Sequence, residues 1–86
     1  MTRSKLEIYL DIIKTIVIQQ QLTLARLKDL LNVNELEISD CLNFLVNQKI
    51  INKLVVDGSN TLSASLSGEF IVSYFGLIDK RAPKVN

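Results

Sequence analysis

Residues 22–48, LTLARLKDLLNVNELEISDCLNFLVNQ, contain two helix starts separated by one short turn. Thr23 is a predicted N-cap, because its side-chain oxygen can accept a hydrogen bond from a free N–H group of the first helical turn. Asn34 and Glu37 have the spacing of a capping box, and an apolar pair at each start can form a hydrophobic staple. The stretch therefore predicts a helix-turn-helix, with its second helix from Glu35 to about Gln48.

A longer helix is predicted before this motif. Ser4 and Glu7 have the spacing of a capping box, so the helix should run from Lys5 to about Gln20. Apolar residues recur at intervals of three and four and predict one face directed at the core. This face consists of Leu6, Tyr9, Leu10, Ile13, Ile16 and Val17.

A β-hairpin is predicted after the helix-turn-helix. Ile50 to Val56 is rich in β-branched residues, and residues 61–66 alternate between polar and apolar side chains. Between these strands, Asp57 to Asn60 holds residue types that tolerate positive φ, which favours a short turn. The hairpin is the candidate wing of a winged helix.

A fourth helix is predicted to close the chain. Ser67 is its predicted N-cap, with Leu66 and Ile71 as a staple. The helix must end before Ala82, because the Pro83 ring disfavours helical backbone at the preceding residue.

The predicted fold class is therefore α+β, mainly α, as a winged helix-turn-helix: three helices, a hairpin wing and a final helix. The chain has 86 residues, 48% of them hydrophobic and 22% charged, which is typical of a small globular domain. We expect a single domain over residues 1–82 and a frayed tail over residues 83–86.

The composition argues against an enzyme. The chain has no histidine, one cysteine and no glycine-rich loop, so catalytic triads, zinc sites and phosphate-binding loops of the usual composition cannot be assembled. We expect no cofactor and no metal. Cys41 lies within one helical turn of Ile38 and Leu45, which predicts a small core residue rather than a reactive thiol.

The partner and compartment are less directly indicated. A net charge of +1 gives no global basic field, so an electrostatic argument must be local. A single cysteine and no secretory signal favour a reducing compartment, and no apolar run is long enough for a membrane span. We expect a soluble, cytoplasmic protein.

The third helix is the candidate recognition helix, because the second helix of a helix-turn-helix normally enters the major groove. Its core face should be Ile38, Cys41, Leu42 and Leu45. The polar side chains away from that face are candidates for contacts to base edges. These base-contact candidates are Ser39, Asp40, Asn43 and Asn47.

Acidic residues on this helix oppose that interpretation. Glu35, Glu37 and Asp40 would meet phosphates of like sign. Alternatively, Glu35 and Glu37 merely stabilise the positive N-terminus of the helix.

Basic residues elsewhere supply the candidate phosphate contacts. Each of them could equally be an ordinary solvated charge, so their significance is collective. The candidates are Arg3, Lys5, Arg26, Lys28, Lys49 and Lys53.

The fourth helix has more apolar surface than one stripe can direct into its own domain. A second copy of the chain is the expected cover, since two-fold dimers are the commonest small oligomers. A monomer with an apolar terminal helix is the alternative. The candidate interface residues are Phe70, Ile71, Tyr74, Phe75, Leu77 and Ile78.

Three stretches resemble an archaeal winged-helix regulator family that includes the small Sulfolobus coiled-coil DNA-binding proteins. They are R-S-K-L-E-I at Arg3 to Ile8, L-N-F-L-V-N-Q-K-I-I at Leu42 to Ile51, and L-S-G-E-F at Leu66 to Phe70. The resemblance implies a winged helix that binds DNA. Lys49 stands where that family usually has the glycine that ends the third helix.

Two functions are therefore predicted. The first is a homodimeric DNA-binding protein, a transcriptional regulator whose two helix-turn-helix units contact successive half-sites on double-stranded DNA. The alternative is a winged-helix module that binds another protein through the acidic third helix, with Leu36 and Phe44 in the contact surface.

Overall fold

Four helices and three antiparallel strands make up the computed structural model, which describes residues 4–76. The elements are α1 (Lys5–Gln19), β1 (Leu22–Thr23), α2 (Leu24–Leu31), α3 (Glu35–Asn47), β2 (Ile51–Val56), β3 (Ser59–Ala64) and α4 (Leu66–Tyr74). The predicted fold class is confirmed, because the chain is α+β, mainly α, with α2 and α3 as the helix-turn-helix and β2 and β3 as the wing.

The first three helices begin at the predicted N-caps. The hydroxyl of Ser4 accepts a hydrogen bond from the N–H of Glu7 at 3.1 Å, and the Glu7 carboxylate accepts one in return from the N–H of Ser4. The Thr23 hydroxyl accepts from the N–H of Arg26 at 3.2 Å. Asn34 accepts from two N–H groups of the first turn of α3, although the predicted capping box with Glu37 is not completed.

The core face of α1 differs in part from the prediction. The helix buries Ile8, Ile12, Ile13 and Ile16, whereas Leu6 is 59% exposed. Apolar residues lie on more than one side of α1, so periodicity alone does not select the buried stripe. The neighbours select it, because α1 packs against α2, α3, α4 and β3 at once.

The wing turn is tighter than predicted. Only Asp57 and Gly58 lie between the strands, with φ of 51° and 79°. Positive φ at both positions is typical of a type I′ turn, whose twist matches that of the flanking strands. Ser59 and Asn60, which were expected in the turn, instead begin β3, and Val56 pairs with Ser59.

A third strand was not predicted. Leu22 and Thr23 pair with Leu62 and Thr61 of β3, which gives the strand order β1-β3-β2. Two residues are too few to show an alternating pattern, so the sequence indicated only a staple at Leu22. This short strand joins the start of the helix-turn-helix to the wing.

The C-terminus of α3 is a left-handed turn at Lys49, whose φ is +61°. The N–H of Lys49 donates to the carbonyl of Val46 at 3.0 Å, and the N–H of Ile50 donates to that of Leu45 at 2.9 Å. These two bonds form a Schellman motif, in which glycine is the usual left-handed residue. Lys49 thus adopts the left-handed conformation that glycine usually adopts. It does so at the position where the family that the sequence resembles usually has glycine.

The N-cap of α4 is Ser65, so the prediction of Ser67 is wrong. The Ser65 hydroxyl accepts from the N–H of Gly68 at 3.3 Å. It also donates to the carbonyl of Lys49 at 2.7 Å or of Ile50 at 2.8 Å. Because those carbonyls lie more than ten residues earlier in the chain, sequence spacing could not distinguish Ser65 from Ser67.

At the two ends of α4, the predicted staple is wrong, whereas the helix ends before Ala82 as predicted. Leu66 is 84% exposed, so it does not form the predicted staple with Ile71. The helix ends at Tyr74, well before Pro83, and Gly76 has a φ of +64°. Positive φ of this kind terminates a helix.

Replacing Lys49 with glycine should raise the free energy of unfolding by about 1 kcal/mol. A residue with a Cβ atom loses roughly 1–2 kcal/mol in the left-handed conformation, and the greater freedom of unfolded glycine offsets part of the gain. Urea unfolding followed by circular dichroism measures the change. Lys49→Ala retains the Cβ atom, so an equal gain in both variants would attribute the effect to the lysine charge and contradict this account.

Replacing Gly68 with alanine should lower the free energy of unfolding by about 1–3 kcal/mol, the usual cost of overpacking. The added Cβ atom would lie 2.6 Å from the carbonyl oxygen of Ile50, a backbone atom that is held by Ser65. Ser67→Ala, at the exposed neighbouring residue, should change stability by less than about 0.5 kcal/mol. Equal effects of the two substitutions in urea unfolding would argue against close packing at Gly68.

Candidate nucleic-acid interface

The core face of α3 is the one that the sequence predicted. Ile38, Cys41, Leu42 and Leu45 are all buried. Burial raises the pKa of the Cys41 thiol; the positive charge of Lys5 lowers it by a smaller amount, and the carboxylates of Glu37 and Asp40 raise it further, so the thiol is neutral at physiological pH. This agrees with the prediction of a core residue.

Within residues 4–76, no element covers the opposite face of α3. Asp40, Asn43 and Asn47 are exposed, and Ser39 is half-buried at the edge of this face. Leu36 is 74% exposed on the same side, near the helix N-terminus. We call Leu36, Asp40, Asn43 and Asn47 the recognition face.

A cleft of about 100 Å³ separates α3 from the wing. Ser39, Asn43 and Asn47 line it from α3, and Lys53 and Asn60 line it from the strands. Apolar side chains complete its lining: Leu24, Leu42, Val46 and Leu62. Three side-chain amides, a hydroxyl and an ammonium group therefore converge in a cleft that could hold base edges or a phosphate.

A second groove extends from this cleft along the outer strand. Lys49 and Lys53 both line it, together with Asn52 and Ser63. The backbone turn at Lys49 thus puts this residue beside the wing, in the lining of the same groove as Lys53. Two of the predicted phosphate contacts are brought together here.

Lys28 is engaged in an ion pair. Its Nζ lies 2.8 Å from Oε2 of Glu35, the first residue of α3. The hydrogen bond and the positive charge of Lys28 hold the pKa of the Glu35 carboxyl below its ordinary value. A phosphate at Lys28 would therefore have to compete with Glu35.

Of the remaining predicted phosphate contacts, those that the structure describes do not lie with Lys49 and Lys53 in the groove. Arg26 is exposed on α2, but it lines neither the cleft nor the groove. The charge of Lys5 acts on the Cys41 thiol, which associates Lys5 with the side of α3 that faces α1. Arg3 lies outside the described residues.

The two apolar side chains of the alternative surface differ in their environments. Phe44 is partly exposed, but its ring stacks on Tyr9 of α1, with ring centroids 5.0 Å apart. Leu36 has no such packing and stays largely exposed.

An aromatic ridge lies on the side of α4 away from the core. We define this ridge as Leu66, Phe70 and Tyr74, which recur at intervals of four and are 84%, 68% and 73% exposed. The rings of Phe70 and Tyr74 stack at 6.2 Å, and Phe75 meets Tyr74 edge to face at 5.2 Å.

Several of the predicted dimer-interface residues are not part of the aromatic ridge. Ile71 is half-buried and packs against the core rather than on the ridge. Leu77 and Ile78 lie outside the described residues. Leu66, which the sequence assigned to a staple, belongs to the ridge instead.

Asn60 is the polar residue of the cleft that sequence analysis missed, and the missed apolar residues are Leu24, Val46 and Leu62. Asn60 was assigned to the wing turn, and only the two-residue turn puts it in β3 beside α3. Leu24 is the first residue of α2, where the capping pattern gives no hint of the surface it faces.

Neither a metal site nor a membrane span is found in the part of the chain that the structure describes. No three histidine, cysteine, aspartate or glutamate side chains of residues 4–76 lie close enough to hold a metal ion. None of the helices in this range is long and apolar enough to span a membrane.

Comparison with known proteins supplies one similarity of fold. No protein-family model matches the chain, and no curated protein is significantly similar to it in sequence. The crystal structure of a mutant MarR from E. coli complexed with operator DNA superposes with a TM-score of 0.74 at 16% sequence identity. The match covers 85% of this chain and 54% of the MarR chain, so this chain spans about half the length of that protein. At this identity the similarity shows the fold, and the chain is accordingly a winged helix.

Proposed function

We propose that this protein is a homodimeric DNA-binding regulator of transcription that acts inside the cell and has no catalytic activity. The observation that carries the proposal is the cleft in which Asn43 and Asn47 of α3 meet Lys53 of the wing. The structurally similar MarR protein was solved with operator DNA bound, which supports the same class of partner here. Membership of the archaeal family that the sequence resembles stays a prediction.

The proposed arrangement puts α3 in the major groove of double-stranded DNA. That groove is about 12 Å wide and admits one α-helix. The recognition face would then contact base edges, while Lys49 and Lys53 at the wing root contact the flanking phosphates. Lys28 would join them by exchanging Glu35 for a phosphate.

The charge of α3 limits the strength of such binding. Glu35 is compensated by Lys28, whereas Glu37 and Asp40 form no ion pair with another residue of the described range. Phosphates would repel these two carboxylates, so contact with DNA of arbitrary sequence should be weak. The proposal therefore requires that base contacts and dimerisation supply much of the affinity.

Dimerisation through the aromatic ridge is part of the proposal. Phe70 and Tyr74 present stacked rings to solvent, and an apolar patch of this kind on a small protein marks an interaction surface. A two-fold axis beside α4 would pair the ridge with its own copy and give two α3 helices for two half-sites.

A protein-binding module is the second candidate. The exposed Leu36 favours it, because Asp40 lies one turn further along the same face, and an apolar side chain next to a carboxylate fits a partner with a basic rim. Both candidate functions use the same face of α3. They are distinguished by whether a positive charge added to this face strengthens or weakens binding to the partner.

We expect Lys53→Ala to weaken binding to mixed-sequence duplex DNA and to reduce the slope of log affinity against log salt concentration by about 1. Fluorescence anisotropy at several salt concentrations measures both quantities. Lys14→Ala is the matched control, because Lys14 lies on α1 and lines neither the cleft nor the groove. Equal slopes for all three proteins would remove Lys53 from the proposed interface.

Asp40→Lys separates the two functions in the same assay. On the DNA proposal the new charge attracts phosphates and strengthens binding to mixed-sequence duplex, whereas it would disrupt a basic protein partner. If neither Asp40→Lys nor Lys53→Ala changes DNA affinity at low salt, α3 is not in a groove and the regulator proposal fails.

Phe70→Glu should convert the dimer to a monomer, because a charge buried in an apolar interface costs several kcal/mol. Light scattering at micromolar concentration measures the mass, and circular dichroism checks that the fold is retained. Gln21→Glu adds the same charge at an exposed residue outside α4 and should leave the dimer intact. A monomeric unmodified protein would refute the proposed assembly.

A further inference from the structure

We infer that α3 is selective for an A·T-rich half-site of about five base pairs, an inference that rests on the proposed DNA binding. It concerns the chemistry of the recognition face, which is unusual for a helix in the major groove. Four side chains of that face are exposed, and none of them carries a positive charge.

Guanine lacks its commonest partner on α3. The helix from Glu35 to Asn47 contains no arginine and no lysine. The most frequent contact to a G·C pair is a bidentate bond from arginine or lysine to O6 and N7 of guanine. No residue of α3 can form it, so a G·C pair gains little from this helix through guanine.

Adenine, in contrast, has two candidate partners. Asn43 and Asn47 are exposed, and each amide offers a donor and an acceptor that match N7 and N6 of adenine. They are four residues apart, so they lie on the same side of the helix. Both amides also line the cleft with Lys53, whose contact to a phosphate would fix their register against the bases.

Thymine has a candidate partner in Leu36. This side chain lies on the recognition face, and the fold provides no packing for it. The methyl group of thymine is the apolar feature of the major groove, and apolar side chains contact it. On the DNA proposal, the exposed leucine thereby has an apolar partner in the groove.

The length of the half-site follows from helix geometry. Leu36 and Asn47 are eleven residues apart, which corresponds to roughly 16 Å at a rise of about 1.5 Å per residue. Base pairs are stacked about 3.4 Å apart, so contacts along this length extend over about five pairs.

Asp40 adds discrimination rather than affinity. Its carboxylate can accept a hydrogen bond from an exposed amino group of cytosine or adenine, but it is repelled by phosphate. A misplaced helix would bring Asp40 towards the backbone without a compensating donor. Such a repulsive element disfavours incorrect registers and sequences.

The test is selection of bound duplexes from a random DNA library by the full chain at low salt, followed by sequencing. Enrichment of A·T pairs over about five adjacent positions supports the inference. Enrichment of G·C pairs at most of these positions, or salt-sensitive binding without any enrichment, overturns the inference and leaves DNA binding intact. No binding at low salt overturns the proposed function and the inference together.

Variants then assign the contacts on the selected duplex. Asn43→Ala should reduce the preference for the selected A·T pair by about 5- to 150-fold, the range for one bidentate contact. Replacing thymine by uracil removes the methyl group and should weaken binding of the original protein but not of Leu36→Ala. Gln48→Ala, at an exposed amide just beyond α3, is the control and should leave the preference unchanged. If Gln48→Ala and Asn43→Ala act alike, or the uracil effect persists in Leu36→Ala, the assigned contacts are wrong.

Discussion

The left-handed turn at Lys49 and the hydroxyl of Ser65 together hold the two halves of this fold. The turn reverses the chain at the end of α3. The carbonyl of Ile50 accepts a hydrogen bond from the N–H of Ser65 at 3.0 Å, and that of Lys49 accepts one from the Ser65 hydroxyl at 2.7 Å. The same oxygen starts α4, and Gly68 leaves room for the Ile50 carbonyl in the first turn. One cluster of hydrogen bonds, made by backbone groups and the Ser65 hydroxyl, therefore fixes α3, the wing and α4 relative to one another.

Local chemistry made much of this fold predictable. A cap such as Thr23 or Asn34 acts within three residues, so its effect is visible in the sequence, and the helix starts of α1, α2 and α3 were located on that basis. The failures have non-local causes. The choice between Ser65 and Ser67 depends on carbonyls at the end of α3, and the exposure of Leu6 depends on which neighbours cover α1.

The candidate site was also predictable where local geometry determines it. Once Ile38 and Leu45 were assigned to the core, helix geometry alone directed Asn43 and Asn47 to the other side, where the structure has them. What the sequence could not indicate is the surroundings of that face. Asn60 lies beside α3 only because the wing turn has two residues. The rest of the cleft lining comes from elements that are separate in the sequence, so local patterns do not indicate it.

The acidity of α3 and the aromatic ridge of α4 have opposite consequences for the proposed affinity for DNA. Glu37 and Asp40 form no ion pair with another residue of the range 4–76. A helix of this charge, bound to DNA as proposed, gains little from the phosphates, so one copy of the domain should hold DNA weakly. Two linked copies make the second contact intramolecular, which raises the combined affinity by roughly 10² to 10⁴ without any new contact. This gain applies only when both half-sites are correct, because weak contacts to phosphates cannot compensate for a mismatched half. An acidic recognition helix is therefore consistent with a selective DNA-binding protein, provided that the ridge at Phe70 and Tyr74 joins two copies of the chain.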